Sequence, residues 1–492
     1  MDETPLEHER RAKVARWRSQ GREPYPWSFP GRVPTETVRA RCRPLAAGEE
    51  AGGEPVRVAG RLRALRVHGK TAFADLDDLS GALQLIVRED LLGEAAYRGW
   101  LADLDSGDLV GAEGRPAVSR RGEPSLVASR LELLAKAIAP PPEKYHGLQD
   151  PEERLRHRHV DLLASAESRA RFRARSLLVR ETRHYLDGAG FLEVETSTLV
   201  PLAGGGAARP FTTRSAYLAE ELQLRIALEL PLKRLLVGGL ERVYEIGKCF
   251  RNEDLDSTHS PEFTMLELYW AYADYRDMQA LVEGLYRRLA ERMGEILPDV
   301  PAARAAAQAF ADGFASIDFV EELERRSGLT RLLERSPEEL RQYARAAGST
   351  VPDDSPPGVF LDKLFEHYVE PDLSRPTFVF DHPAVTTPLA KRHRSRPGRV
   401  ERFEFYYRGM ELGNAYTELN DPDEQLLRFQ EQSAAREEDR YAFDEEFVRA
   451  LRYGMPPATG IGIGIDRMAM AFTGAPSIKD VILFPLARGR TA

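Results

Sequence analysis

The sequence predicts an α+β protein in which a small all-β barrel precedes a larger domain built on an antiparallel sheet flanked by helices. Three observations carry this reading. Short β-rich runs between Gly, Asp and Ser turns fill the stretch from Val56 to about Leu134, the pattern of a five-stranded barrel. Ala139-Pro-Pro-Pro-Glu then interrupts the chain, because consecutive prolines neither continue a helix nor donate to a central strand. Beyond it, hairpin-like strand pairs are separated by long helical insertions, which points to an antiparallel sheet rather than a parallel one.

Taken in order, residues 5–20 form a charged helix that gives way to Pro24, Pro26 and Pro30 and reads as an appendage outside the core. Residues 1–50 are assigned to this basic helix and its extension, 51–138 to the barrel, 139–165 to the linker and 166–492 to the larger domain. In that domain a helix is expected from Arg169 to Leu186, strands around Phe191 to Thr196 and from Arg242 to Trp270, and helix from Asp277 to about Gly348. A strand-rich block from Thr377 to Asn420 and a strand running into a helix from Ile461 to Thr473 complete the order.

With 492 residues the chain exceeds one domain, and its 42% hydrophobic content suits a large packed core. The net charge of -9, from 69 basic and 78 acidic residues, excludes a uniformly basic coat, so any nucleic-acid contact must be local. Two acid-free basic stretches qualify, from Arg10 to Arg22 and from Arg57 to Lys70, although each taken alone reads as a solvated face. Two cysteines, Cys42 and Cys249, are too few for a disulfide framework and suit a reducing compartment. The charged N-terminal segment is unlike a signal peptide, and no apolar run approaches the ~18 residues of a membrane span. The expectation is a soluble cytoplasmic protein without a membrane partner.

Three segments carry chemistry. In Pro261-Glu-Phe-Thr-Met-Leu-Glu-Leu-Tyr-Trp, strand periodicity puts Phe263, Met265, Glu267 and Tyr269 on one face and Leu266, Leu268 and Trp270 on the other. On the preceding strand Arg251 and Glu253 share a face, and an arginine on a sheet floor can grip a phosphate through two parallel hydrogen bonds. An exposed hairpin with solvated charges is the alternative. In the second segment Asn414, Tyr416 and Glu418 alternate on one face of a strand near Glu404 and Glu411. This suits a pocket wall with room for Mg²⁺, which takes one or two carboxylates plus substrate phosphates, or a polar sheet face meeting water. In the third, Gly460-Ile-Gly-Ile-Gly-Ile-Asp-Arg puts Ile461, Ile463 and Ile465 on one face and Gly462, Gly464 and Asp466 on the other. Glycines inside a strand suggest close approach of another molecule, and Arg467 stands where a strand becomes a helix, suited to a phosphate or a ring.

Together these segments carry a resemblance. Phe250-Arg-Asn-Glu with Pro-Glu-Phe-Thr-Met-Leu-Glu-Leu-Tyr (242–270) resembles motif 2 of the class II aminoacyl-tRNA synthetases, and Gly-Ile-Gly-Ile-Asp-Arg-Met (460–473) resembles motif 3. The stretch 169–201 resembles motif 1. The wording is most similar to the lysyl-tRNA synthetases, as are the segments opening at Lys144, Gly190, Ala207, Val237, Arg402 and Asp480.

The resemblance implies ATP-dependent activation of L-lysine to lysyl-adenylate and transfer to the 3′ end of tRNA(Lys), with Mg²⁺, in a homodimer. By similarity Arg251 and Arg467 are catalytic; Glu253, His259, Ser260, Phe263, Gly462 and Gly464 join them around ATP. Gly205, Glu229, Glu267, Tyr269, Asn414, Tyr416 and Glu418 form the lysine pocket, with Glu418 as partner of the ε-ammonium. Glu404 and Glu411 match the metal ligands. The barrel resembles an OB-fold anticodon-binding domain in which Phe73 and Gln84 meet bases, and its basic run follows the RNA backbone. The sequence departs from the family's usual residues at Ser260, at Leu228 in place of Pro, at Pro231 in place of an aromatic, and at Thr386. A lysine-activating relative with a non-tRNA acceptor, and a non-catalytic RNA-binding relative, are the competing readings.

Overall fold

A computed structural model describes residues 3–141, 148–253, 255–297, 300–432 and 443–486. The start of the segment opening at Lys144 lies outside the described residues, as does part of the proline linker. The chain divides into two compact units, 1–149 and 150–492.

In the first unit, β1 (Val56–His68), β2 (Thr71–Asp78), β3 (Gly81–Arg88), β4 (Leu109–Val118) and β5 (Pro124–Ala135) close a barrel in the order β1-β2-β3-β5-β4. Alternation along the strands sends Ala72, Ala74 and Leu76 inward with Leu83, Leu85 and Val87. The N-terminal helix Pro5–Ser19 is capped by Thr4 and Glu7, each bonding the other's backbone. It is not the appendage its charge suggests: Trp17 is buried in the barrel's core cluster and its indole donates to Asp103 at 2.6 Å. Arg10 is buried against the carbonyls of Ala137 and Ser106, and Lys13 pairs with Asp105. The basic charges of this helix are thus partly spent on holding it to the barrel. The second basic run is paired in the same way, Arg63 with Asp77, Arg66 with Asp75 and Lys70 with Glu89.

In the second unit eight strands form one sheet. In chain order they are β6 (Leu192–Glu193), β10 (Arg242–Phe250), β11 (Glu262–Ala271), β12 (Ala315–Asp318), β13 (Thr377–Phe380), β14 (Arg402–Tyr407), β15 (Met410–Thr417) and β16 (Ala458–Gly464). A separate small sheet contains β7 (Leu199–Val200), β8 (Thr212–Arg214) and β9 (Glu221–Leu224). The large sheet has the order β12-β13-β14-β15-β16-β11-β10-β6, antiparallel from β13 through β10 and parallel at both edges. Its apolar face carries Phe403, Phe405, Ala415, Ile461, Ile463, Leu266 and Leu268. These pack with residues of the helices Ala166–Gly188, Tyr275–Ile296, Pro301–Asp312 and Ile465–Thr473 in one core cluster, where burial of each large side chain contributes about 1.5–3 kcal/mol.

Two expectations for this unit need correction. The helical stretch expected from Asp277 to Gly348 is interrupted by β12, a four-residue edge strand created by pairing with β13 some sixty residues later, which local periodicity does not register. Arg251 and Glu253 do not share a strand face: β10 ends at Phe250, and both lie in the bend beyond it.

Candidate active site

The polar face of the large sheet floors a cleft of ≈ 1050 Å³. Register explains why these side chains meet. Tyr269 lies opposite Gly460, Glu267 opposite Gly462 and Met265 opposite Gly464, while on the other side of β16 Asn414 faces Gly462 and Tyr416 faces Gly460. The glycines form a low central row with acids, rings and amides rising on both sides. Glu404 lies opposite Asn414 one strand further out. Strict alternation would send Glu411 to the apolar face, away from Asn414. A register shift between β14 and β15, which pairs Phe405 with Gly413 but Tyr406 with Glu411, brings Glu411 to the cleft instead.

The arginines are held in place by the chain itself. Arg251 reaches the carbonyl of Ile226 at 3.4 Å, and its guanidinium lies 5.2 Å from the Phe263 ring centre. Arg467, in the first turn of the helix Ile465–Thr473, contacts Glu411 at 3.3 Å and His259 Nε2 at 3.0 Å. His259 Nδ1 meets Asp256 at 2.8 Å; Thr258 and His259 amides donating to Asp256, together with the imidazole, overcome desolvation and hold its carboxyl below the usual range. Glu253 accepts the Arg209 amide at 3.0 Å, and Ser260 is buried in the wall.

At the other end sits a nest of carboxylates. Glu267 is buried and accepts from the Leu228 amide and the Tyr269 hydroxyl, each at 3.0 Å. Burial first, then the neighbouring Glu229, push its carboxyl up to about 7. Glu229 opens the helix Glu229–Val237, accepts from Tyr416 and pairs with Lys233 at 2.6 Å. Gly205 adopts φ 84 beside it, and a Cβ there would lie 3.0 Å from that of Glu229.

Of the residues singled out above, Arg251, Glu253, His259, Ser260, Phe263, Gly462, Gly464, Arg467, Gly205, Glu229, Glu267, Tyr269, Asn414, Tyr416, Glu404 and Glu411 all line this one cleft. Glu418 does not. It is fully buried behind the lining and ion-paired with Lys233 at 2.5 Å. Phe73 and Gln84 belong to the first unit, on β2 and β3, where both are half-buried on the outer face of the barrel; Gln84 accepts from Ser125. Sequence reasoning missed Arg402, which donates to Asn414 and Glu404 at 2.9 and 2.6 Å. It also missed Lys233, although Glu229 and Lys233 stand at the i,i+4 spacing of a helical pair.

Glu404 and Glu411 offer two carboxylates on one wall, and burial and Glu404 together raise the Glu411 carboxyl. Among the described residues no group of three or more acids, histidines or cysteines could enclose a metal. Two carboxylates fit a Mg²⁺ ion that completes its shell with water and substrate phosphates, and would not fit an all-protein metal cage.

Comparison with known proteins agrees with this architecture. Residues 150–488 match the tRNA synthetases of class II (D, K and N), and residues 56–134 match the OB-fold nucleic acid binding domain. The chain is 47% identical to the lysine–tRNA ligase of Roseiflexus castenholzii over the whole of both chains. It is 45% identical to that of Deinococcus radiodurans, covering 95% of this chain and 91% of the other. It is 42% identical to that of Bacillus subtilis, covering 98% and 97%. The chain therefore belongs to the class II lysine–tRNA ligase family, with an OB-fold domain followed by a class II synthetase domain.

Proposed function

We infer that this protein is a lysine–tRNA ligase: it uses ATP to activate L-lysine and transfers the lysyl group to tRNA(Lys). The observation that carries the reading is the union, in one cleft, of an arginine end and a carboxylate end joined by a glycine-floored strand. ATP lies along the floor over Gly462 and Gly464, with adenine against Phe263 and its phosphates toward His259, Glu253, Ser260 and Arg467. Lysine lies at the acidic end, its amino groups toward Gly205, Glu229, Glu267 and Glu418, with Tyr269, Asn414 and Tyr416 around its stem.

The lysine carboxylate attacks the α-phosphorus; the bond from phosphorus to the bridging oxygen breaks, and lysyl-adenylate and pyrophosphate form. Arg251 serves both the carboxylate and the α-phosphate, bringing nucleophile and electrophile together and offsetting the charge that builds on the phosphoryl oxygens. Glu404 and Glu411 would hold Mg²⁺, which when bound neutralises phosphate charge. A terminal ribose hydroxyl of tRNA then attacks the activated carbonyl, releasing AMP. A pocket built around buried acids disfavours amino acids with apolar side chains, which would leave an acid unpaired.

The barrel reads the anticodon, with Phe73 stacking on a base and Gln84 contacting an edge. A homodimer across the region of the helix Ala166–Gly188 is supported by Leu192, Leu199 and Leu202, three exposed apolar side chains in the 169–201 region or beside it. No helix among the described residues is long and apolar enough to cross a membrane.

The decisive experiment is charging of unfractionated tRNA with labelled lysine by the purified protein, ATP and Mg²⁺, with Arg251→Ala as control. Lysyl-tRNA is expected with the wild type and not with the variant. If the wild type supports lysine-dependent exchange of pyrophosphate into ATP but charges no tRNA, the acceptor is another molecule.

A further inference from the structure

The acidic end of the cleft already contains an ammonium group. Lys233 is fully buried, with Nζ 2.6 Å from Glu229 and 2.5 Å from Glu418, and lies over the rings of Tyr416, Tyr269 and Phe447 at 5.2–6.0 Å. Two of the acids at this end, Glu229 and Glu418, pair with Lys233, and a third, Glu267, lines the cleft beside Glu229; all three are buried. Fully ionised they carry three negative charges against the one positive charge of Lys233. Two remain without a counter-charge, which is unfavourable in a buried site.

Glu418 is divided between two tasks. Its Oε2 is ion-paired with Lys233 Nζ at 2.5 Å, while Oε1 has no such partner; both oxygens are buried and neither makes a well-formed hydrogen bond. That oxygen stands 2.5 Å from where a Cβ on Gly460 would be, and Gly460 lines the cleft. The orphan acceptor is therefore beside the floor of the substrate pocket.

We propose that Lys233 is a resident counter-ion that ties Glu229 to Glu418 and leaves the nest two positive charges short, so that it selects a substrate with two ammonium groups. The inference rests on the lysine-activating reading above and goes further by assigning a positioning role to a residue behind the cleft. Lys233 holds one oxygen of Glu418 and leaves the other for the side-chain ammonium. At Glu229 it fixes the carboxylate that meets the α-ammonium. Without Lys233 three carboxylates would face two ammonium groups, and one would have to keep a proton. Arg251, whose charge from the cleft lining acts on Glu267, stands apart from this balance because it serves the substrate carboxylate and the phosphate.

The test compares wild type with Lys233→Met and Lys233→Arg in lysine-dependent exchange of pyrophosphate into ATP, across pH, with KM resolved separately for lysine and ATP. For Lys233→Met the lysine KM is expected to rise on the order of 100-fold with the ATP KM nearly unchanged. Because the lost cation favours ionised carboxyls, the pH at which lysine binding weakens should move upward by about one unit. Lys233→Arg should return that pH profile toward wild type. A second measurement needs no variant: calorimetry of lysine binding to the wild type, in buffers of different ionisation enthalpy, should show between about one and two protons released near neutral pH as the carboxyls ionise against the incoming ammonium groups.

An unchanged lysine KM and pH profile in Lys233→Met, or lysine binding without proton release, overturns the proposal. Loss of kcat with both KM values and the profile unmoved also overturns it and makes Lys233 a packing residue. If the wild type itself shows no lysine-dependent exchange, the functional reading fails rather than this assignment.

Discussion

The backbone amide of Leu228 donates to the Glu267 carboxylate at 3.0 Å. Proline, the residue that the family resemblance implies at this position, has no N–H and could not supply this donor. Leu228 is itself fully buried against Leu230, Leu232 and Tyr269. Leucine at this position therefore adds a hydrogen bond to a buried acid of the cleft, and that bond works against the burial that raises Glu267.

Leu228→Pro is expected to weaken lysine binding by roughly 1–3 kcal/mol, the cost of leaving a buried acceptor short of a partner. The lysine KM should rise about 5- to 140-fold and should recover partly at high pH, where the carboxyl ionises without help. Steady-state pyrophosphate exchange at several pH values checks this; a uniform fall in kcat would point to helix damage instead.

The acidic end should make stability and lysine affinity depend on pH in opposite ways. Glu267 is raised from 4.5 to about 7 by burial, and burial holds Glu418 above the usual range despite Lys233. Groups raised in the fold contribute stability that is present below their unfolded value and lost as pH rises through the folded one. The free protein should therefore lose melting temperature between about pH 5 and 8 from these groups. Added lysine, whose ammonium groups favour the ionised acids, should stabilise more at pH 8 than at pH 6. Thermal melts with and without lysine across this range test the sign.

Two glycines of β16 should respond in contrasting ways to alanine. A Cβ on Gly460 would lie 2.3 Å from the Tyr269 ring and 2.5 Å from Glu418, whereas one on Gly464 meets nothing nearer than Arg467 at 3.7 Å. Gly460→Ala should destabilise the fold by about 1–3 kcal/mol and raise the lysine KM. Gly464→Ala should leave the melting temperature unchanged and raise the ATP KM, because the space it fills is wanted by the nucleotide. An unaffected ATP KM would remove the nucleotide from that part of the floor.

For the metal, Glu411→Gln should raise the Mg²⁺ concentration needed for half-maximal exchange while leaving lysine binding in the absence of ATP intact. Titration of Mg²⁺ against rate, beside calorimetry with lysine alone, separates the two.

In the barrel, Phe73 is half-buried on the outer face, in edge contact with the His68 ring at 6.0 Å. Phe73→Ala should cost about 1–3 kcal/mol of tRNA binding, the range for one base stacked on an aromatic ring. The KM for tRNA rises and pyrophosphate exchange is untouched.

Much of this could be read from the chain alone because it depends on local period. Alternation over residues 261–270 places Phe263, Met265, Glu267 and Tyr269 on the cleft side, and the isoleucines of 461–465 fall in the core. The barrel was legible from its strand runs, and the resemblance of the ordered motifs identified the catalytic domain.

What local period cannot encode is pairing between distant segments. β12 exists because a partner strand lies beside it, not because its four residues insist on it. Glu411 reaches the cleft through a register shift between two strands, a property of the pair. Trp17 joins the barrel core although its helix is mostly charged, since one large ring and a few ion pairs suffice to dock a face. The union of Glu229, Lys233 and Glu418 joins a helix to the end of a strand almost two hundred residues away. The sequence by itself determined many of the side chains that could do chemistry and, over residues 261–270 and 461–465, the side of the strand on which they stand. Only the tertiary structure decided which charges meet, because the energy of a buried charge depends on neighbours that folding, and not the chain's order, brings within a few ångströms.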